Sequence, residues 1–293
     1  MPSPAFSTWV LAARPKTLPA AASPVLIGAA LAIGDGQLSL IPTIAALVAA
    51  LLIQIGTNYA NDYFDFMKGT DTETRLGPMR VTHAGLVTPQ QMKKATTFVF
   101  GFALLIGLYL VIRCGWPILF IGIFSILFGV LYTGGPYPLG YNGLGDLFVL
   151  IFFGPVAVAG TYFVNTQSFG VIPAVAGLAP GLFSVGILTV NNLRDIDDDR
   201  AGGKRTLAVR LGRTFTLAEF AICIIGAHII TAGICISSQR WAGLAAISTI
   251  VPAAMLVQRV ARNSGVALNN DLALTGRLLF AHSVLLSVGW VLL

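Results

Sequence analysis

Eight of the twelve acidic residues in this 293-residue chain fall into two short stretches, residues 58–73 and 191–206. The first begins Asn58-Tyr-Ala-Asn61-Asp62-Tyr-Phe-Asp65-Phe-Met-Lys68-Gly69-Thr-Asp71. The second reads Asn191-Asn192-Leu-Arg194-Asp195-Ile-Asp197-Asp198-Asp199-Arg200-Ala-Gly-Gly-Lys204-Arg205-Thr206. Carboxylates mixed with amide oxygens form a hard donor set suited to Mg²⁺, which keeps some waters and takes further ligands from phosphates. Cations stand directly behind the acids: Lys68, Arg75 and Arg80 at the first stretch, Lys204 and Arg205 at the second. Carboxylates alone repel a diphosphate, whereas carboxylates with a divalent ion and flanking Lys and Arg hold one. On a helix, Asn58, Asp62 and Asp65 step by four and three, and Asn191, Asp195 and Asp199 by four and four, so each set shares a face. Asn192 lies three residues before Asp195. Aligning Asn58 on Asn191 also superposes Asp62 on Asp195, Asp65 on Asp198 and Gly69 on Gly202. This weak repeat predicts one domain, 1–293, of two pseudo-repeated halves, roughly 14–140 and 141–293.

The elements that carry these stretches are membrane spans. Apolar residues make up 56% of the chain and charged residues 10%, against about 25% charged in a soluble domain. A hydrocarbon core about 30 Å thick takes roughly 20 apolar helical residues. Nine runs qualify: 18–35, 40–60, 95–113, 115–133, 144–164, 170–191, 215–237, 241–259 and 273–293. The prediction is an all-α membrane protein of nine transmembrane helices. No small-residue cleavage site follows the first run, which reads as a retained span.

Sorting loops by side puts sixteen of the eighteen Lys and Arg residues with the N-terminus, leaving Arg113 and Arg240 opposite. That bias predicts a cytoplasmic N-terminus in a multi-pass inner (plasma) membrane protein. Spans 2 and 6 then run in the same direction and deliver both acidic stretches to one side. The net charge of +6 is topological and excludes nucleic acid as a partner. Arg259, Arg262 and Arg277 read as topology anchors. Cys114, Cys223 and Cys235 sit in apolar runs as small hydrophobes, and His83, His228 and His282 are too scattered for a zinc or haem site.

With these motifs in hand, the chain resembles the UbiA superfamily of intramembrane aromatic prenyltransferases. Within it, the similarity is greatest to the 1,4-dihydroxy-2-naphthoate polyprenyltransferase (MenA) branch. Asn61-Asp62-Tyr-Phe-Asp65 and Asp195-Ile-Asp-Asp-Asp199 match the paired superfamily motifs. The branch features are Ala-Arg14-Pro15-Lys16-Thr17-Leu, Lys68-Gly69-Thr-Asp71, Gly77-Pro78-Met-Arg80, Tyr141-Asn-Gly-Leu-Gly145-Asp146, Ala159-Gly160-Thr161-Tyr162, and Asn191-Asn192-Leu-Arg194-Asp195 running on to Gly203-Lys204-Arg-Thr206-Leu. One departure stands out: many members carry a third Asp four residues after the second, where this chain has Gly69, and Asp71 is the candidate substitute.

The resemblance implies nine helices around a central cavity open sideways to lipid. It implies a catalytic set of Asp62, Asp65, Asp195 and Asp199 holding Mg²⁺, with Asn58 and Asn192 as further ligands. Lys68, Arg75, Arg80, Lys204 and Arg205 would hold the diphosphate of a polyprenyl or phytyl donor. Arg14 and Lys16 would take the carboxylate of the aromatic acceptor, 1,4-dihydroxy-2-naphthoate. Tyr63, Tyr132, Tyr137 and Phe64 are candidate π-faces for a carbocation. Two other readings stay open: a prenyltransferase for 4-hydroxybenzoate or homogentisate, and a cation-coupled transporter. Transporter sites lie near the midplane at broken helices, whereas these clusters lie at helix ends among cations that suit an anion.

Overall fold

The computed structural model describes residues 4–70 and 76–292, so Asp71 and Arg75 lie outside the described residues. Among the described residues the regular structure is entirely helical: α1 (Phe6–Ala13), α2 (Leu18–Gly34), α3 (Leu40–Lys68), α4 (Pro89–Cys114), α5 (Trp116–Leu131), α6 (Gly145–Ile151), α7 (Ala157–Thr166), α8 (Val171–Arg194), α9 (Ile196–Ala201), α10 (Leu207–Ser237), α11 (Ile250–Arg262) and α12 (Leu268–Val291). A five-residue π-turn, Phe152–Val156, joins α6 to α7, and a 3₁₀ run, Trp241–Thr249, leads into α11. Every one of the nine expected spans falls on this framework. Eight helical stretches are long and apolar enough to cross a bilayer, and the ninth is the shorter α5 of 16 residues. The protein is an integral, multi-pass membrane protein.

Several helices outrun the spans read from hydropathy because their polar first turns are capped. Thr88 and Gln91 form a reciprocal capping box at the start of α4, and the Thr206 hydroxyl accepts from Val209 N–H at the start of α10. Such caps satisfy amides that the missing preceding turn cannot. α3 has 29 residues, about 43 Å at 1.5 Å per residue, so its last turns, with the first acidic stretch, extend beyond the hydrocarbon core.

α8 runs through the centre, its face of Ala179, Phe183, Val190 and Leu193 packed with Phe220 and Ile224 of α10 and Leu279 of α12. The kinked α6–α7 span lies against α8 at backbone contact. A Cβ on Gly177 would sit 2.6 Å from Pro155, and one on Gly181 would sit 2.7 Å from the Leu150 carbonyl. Glycines spaced by four are the usual means of such close approach in lipid. Scattered in sequence, two of the histidines meet in the fold. His228 Nε2 and His282 Nδ1 lie 3.0 and 2.8 Å from the Thr249 hydroxyl, and His282 Nε2 lies 2.9 Å from that of Thr231. The result is a buried polar tie between α10, the 3₁₀ run and α12. All three cysteines are free and buried.

Candidate active site

α2 to α8 surround a cavity of about 640 Å³. Its wall is mostly apolar, with Phe128, Phe148 and Phe152 forming a cluster whose ring centroids lie 4.7–6.3 Å apart. Leu104, Leu105, Leu108 and Ile123 line the cavity and are also exposed on the outer surface, so the wall toward lipid between α4 and α5 is a single layer of side chains. At the opposite end the lining turns polar, with Asn61 and Asp65 of α3, Asn191 and Asn192 of α8, Asp195, Asp199 of α9, Arg80 and Lys204. Both acidic stretches therefore meet at one end of one cavity.

Helix geometry and one loop decide which acids face inward. Asp65, 1% exposed, accepts from Arg80 and from the Tyr141 hydroxyl. Asp62 turns elsewhere: its two carboxylate oxygens each accept a backbone N–H, from Val81 and Thr82, both at 3.1 Å. It does not line the cavity, and it pins the 80s loop so that Arg80 reaches Asp65. On the other side Arg194 grips Asp195 with a two-pronged contact, Nε to Oδ1 at 2.7 Å and Nη2 to Oδ2 at 2.5 Å. Arg194 is itself held by Asn191 and Asn269, each at 2.8 Å. Lys204 pairs with Asp199 at 3.0 Å.

The cavity-lining series are thus Asn61 and Asp65 on one side and Asn191, Asp195 and Asp199 on the other, each stepping by four. They correspond at an offset of 130 residues, beside the 133 of the motif alignment. Asn58–Asp62 and Asn61–Asp65 are equally good stripes on paper; the amides of Val81 and Thr82 take the Asp62 carboxylate, while Asn58 still lines the cavity. At the third position this chain presents Gly69, the left-handed cap of α3 (φ 63°), in place of a carboxylate.

Tyr141 ties the two halves of the site together, and spacing did not single it out. It sits on the 3₁₀ turn Gly140–Asn142. Besides Asp65, its hydroxyl meets Thr70 at 3.1 Å. Its ring lies 4.7 Å from Lys68 Nζ and 4.9 Å from Lys204 Nζ. Its carbonyl accepts from Arg205 N–H at 2.7 Å. The signal was a tyrosine in the loop 72 residues downstream of Gly69, which no helical period links to either stretch.

Other expected residues divide. Arg14, Asn58, Tyr132 and Asn192 line the cavity. Arg14 takes the left-handed conformation (φ 52°) as it turns the chain from α1 into the 3₁₀ turn Pro15–Thr17. Lys16, Tyr63, Tyr137 and Arg205 do not line the cavity. Lys16, Tyr137 and Arg205 are exposed, and Tyr63 packs against the cluster of Trp9 and Tyr59 beneath α1. Phe64 stands edge-on to Tyr63 and outside the lining as well. Lys68 reaches the site rim, donating to the Thr133 carbonyl at 2.6 Å. Besides Tyr132 and Tyr141, the cavity's aromatic faces are phenylalanines of α5 and the kinked α6–α7 span.

Among the described residues no three His, Cys, Asp or Glu side chains form a metal cage. Mg²⁺ binds through one or two carboxylates plus water and phosphate oxygens. Asp65, Asp195 and Asp199, with the amides of Asn61, Asn191 and Asn192, supply such a hard donor set on two sides of one opening.

Comparison with known proteins agrees. The sequence model of the UbiA prenyltransferase family matches residues 21–283. The 1,4-dihydroxy-2-naphthoate octaprenyltransferase of Escherichia coli (strain K12) is 40% identical over 226 residues, 74% of this chain and 73% of that protein. The enzyme of the same name from Mycobacterium tuberculosis is 39% identical over 223 residues, 75% of this chain and 76% of its own. Among solved structures, a UbiA homolog from Archaeoglobus fulgidus superposes with a TM-score of 0.69 at 12% identity, covering 98% of this chain and 100% of that one. A structure of a UbiA homolog from the same organism bound to DMAPP and Mg²⁺ gives a TM-score of 0.63 at 14% identity, covering 96% and 99%. At those identities the structures speak for the fold.

Proposed function

The chain belongs to the UbiA prenyltransferase family, and from that premise we propose that it moves a prenyl group from an isoprenoid diphosphate to 1,4-dihydroxy-2-naphthoate, in menaquinone or phylloquinone biosynthesis. The observation that carries this reading is the shape of the cavity's chemistry. One end gathers Asp65, Asp195, Asp199, Arg80 and Lys204, and the rest is mostly apolar. A prenyl diphosphate has the same division, with a charged head and a hydrocarbon tail. The acceptor is supported by the relatives' names.

Asp65, Asp195 and Asp199 would hold Mg²⁺, with Asn61, Asn191 and Asn192 as neutral ligands. When bound, the ion draws charge from the diphosphate and makes it a better leaving group. In the structure Arg80, Arg194 and Lys204 already neutralise these carboxylates. Arg80 and Lys204, with Lys68 at the rim, would turn their donors to the diphosphate oxygens and stabilise the charge that grows as the carbon–oxygen bond breaks. Arg75 belongs to the same basic set by sequence. The allylic cation left behind would face the rings of Phe128, Phe148 and Phe152 in a compartment that excludes competing water. The ring carbon bearing the acceptor's carboxylate would then form the new carbon–carbon bond, the bond from that carbon to the carboxylate would break with its electron pair restoring the aromatic ring, and CO₂ and diphosphate would leave. Arg14 would hold that carboxylate before it departs. The charge bias orients the N-terminus and the acidic end toward the cytoplasm of a bacterial inner membrane.

The test is an acceptor panel with membranes containing the protein, a polyprenyl diphosphate and Mg²⁺. Lipid-soluble product from dihydroxynaphthoate, lost in excess EDTA and restored by Mg²⁺, is expected. Product only from 4-hydroxybenzoate or homogentisate would overturn the acceptor, and undiminished product in EDTA would overturn the metal's role.

A further inference from the structure

Two buried amides line the cavity apart from Asp65, Asp195 and Asp199: Gln54, which has no part in the reaction as described so far, and Asn58, for which the resemblance implied a metal-ligand role. Gln54 and Asn58 lie on α3, 8% and 4% exposed. They precede Asp65 by eleven and seven residues, about 16 and 10 Å along the helix axis. A metal held by Asp65 does not reach Gln54. Both line the same cavity as Arg14 and Thr17.

Proton counting fixes how these amides point. The Thr17 hydroxyl donates its one hydrogen to the Arg14 carbonyl at 3.0 Å, so its oxygen can only accept. Gln54 Nε2 lies 3.2 Å from that oxygen and Asn58 Nδ2 lies 3.3 Å from it. Asn58 Nδ2 also lies 2.9 Å from the Ala13 carbonyl, another pure acceptor. Each amide must therefore present its NH₂ group to the Arg14–Thr17 turn. Turning each NH₂ group to the turn directs the side-chain oxygen away from it, and both residues line the cavity.

An amide oxygen accepts and cannot donate. Two of them, one helical turn apart on one face, call for a ligand with two hydroxyl donors on a rigid frame. We propose that Gln54 and Asn58 receive the two phenolic hydroxyls of a dihydroxylated aromatic acceptor, with Thr17 as the positioning residue that locks both amides in the accepting orientation. This inference rests on the proposed prenyl transfer and adds the basis of acceptor choice. Hydrogen bonds from the phenols to these oxygens push electron density into the ring, and the neighbouring Arg14 lies on the side where the acid's carboxylate would be met. A site built to bond two hydroxyls discriminates strongly against an analogue with one, because an unpaired buried acceptor is left behind.

The experiment compares 1,4-dihydroxy-2-naphthoate with 1-hydroxy-2-naphthoate in the full-length protein in membranes, for the wild type, Gln54→Met and Thr17→Val. The wild type is expected to favour the dihydroxy acceptor by at least tenfold in kcat/KM. In Gln54→Met that ratio collapses toward one, through a rise in KM for the dihydroxy compound, while KM for the prenyl diphosphate and the Mg²⁺ requirement stay as they were. Thr17→Val, which leaves both amides in place but unlocked, shifts the ratio in the same direction. Should Gln54→Met not accumulate, the Thr17→Val ratio decides alone. A ratio unchanged in the variants while the wild type turns over dihydroxynaphthoate overturns the hydroxyl subsite and leaves the proposed reaction intact. No turnover of either naphthoate by the wild type overturns the reaction itself. Equal losses against acceptor and prenyl diphosphate would assign Gln54 a merely structural role and also overturn the proposal.

Discussion

Replacing Tyr141 by Phe removes one oxygen from the centre of the site and leaves the ring that separates Lys68 from Lys204. The hydroxyl donates to the Asp65 carboxylate and meets Thr70. A hydrogen bond to a charged group contributes about 1.5–3 kcal/mol. At about 1.4 kcal/mol per factor of ten, loss of that orientation corresponds to roughly 10- to 150-fold. We expect the loss in kcat/KM for the prenyl diphosphate, with a rise in the Mg²⁺ concentration needed for half-maximal rate, because Asp65 is the carboxylate left less well oriented. KM for the aromatic acceptor should not move, since Tyr141 belongs to the diphosphate end. Tyr141→Leu also releases both lysines from the ring face, each contact contributing about 0.5–1 kcal/mol, and should be worse than Phe. The assay is initial-rate kinetics in detergent–lipid micelles with each substrate and Mg²⁺ varied in turn. Wild-type Mg²⁺ dependence and prenyl diphosphate kinetics in Tyr141→Phe would refute the reasoning that this side chain aligns Asp65.

Asp65→Asn should lose turnover by orders of magnitude, whereas Asp62→Asn should keep the wild-type Mg²⁺ half-saturation and lose thermal stability, because Asp62 holds the Val81 and Thr82 amides; Mg²⁺ titrations of both variants check this. Arg194→Met strands Asp195, 4% exposed, at a cost of about 3–5 kcal/mol for a broken buried pair. Its melting temperature should fall, and Mg²⁺ with inorganic diphosphate should recover part of the loss; an unchanged melting curve would contradict the pairing. Gly177→Ala forces a methyl to within 2.6 Å of Pro155, and overpacking of this kind costs about 1–3 kcal/mol, read as a lower unfolding temperature in detergent.

Much of this architecture was legible because lipid imposes simple rules. Apolar run length and the sorting of Lys and Arg were enough for the nine spans, and parallel spans 2 and 6 had to bring Asp65 and Asp195 to the same side. Sequence spacing could not choose between Asp62 and Asp65. Steps of three and four both keep residues on one helical face, and the choice is made by amides of a loop some twenty residues later. Tyr141 headed a motif that the resemblance carried, but spacing gave it no role, since that role comes from a turn folded over both clusters. Tyr63 and Tyr137 illustrate the converse: an aromatic near a motif carries no direction, and these two point to the α1 cluster and to the surface. Gln54 was passed over as one polar residue inside an apolar span. Its meaning appears only once Thr17 is seen to fix its amide.

The central claim is that α3 and the α8–α9 junction grip one diphosphate together. A structure of the protein with Mg²⁺ and a non-reactive prenyl thiolodiphosphate tests it most directly. The account predicts a metal in contact with Asp65 and with Asp195 or Asp199 around a single diphosphate, the prenyl chain running past Phe128 and Phe148. A diphosphate bound to only one acidic cluster, or outside this cavity, would contradict it.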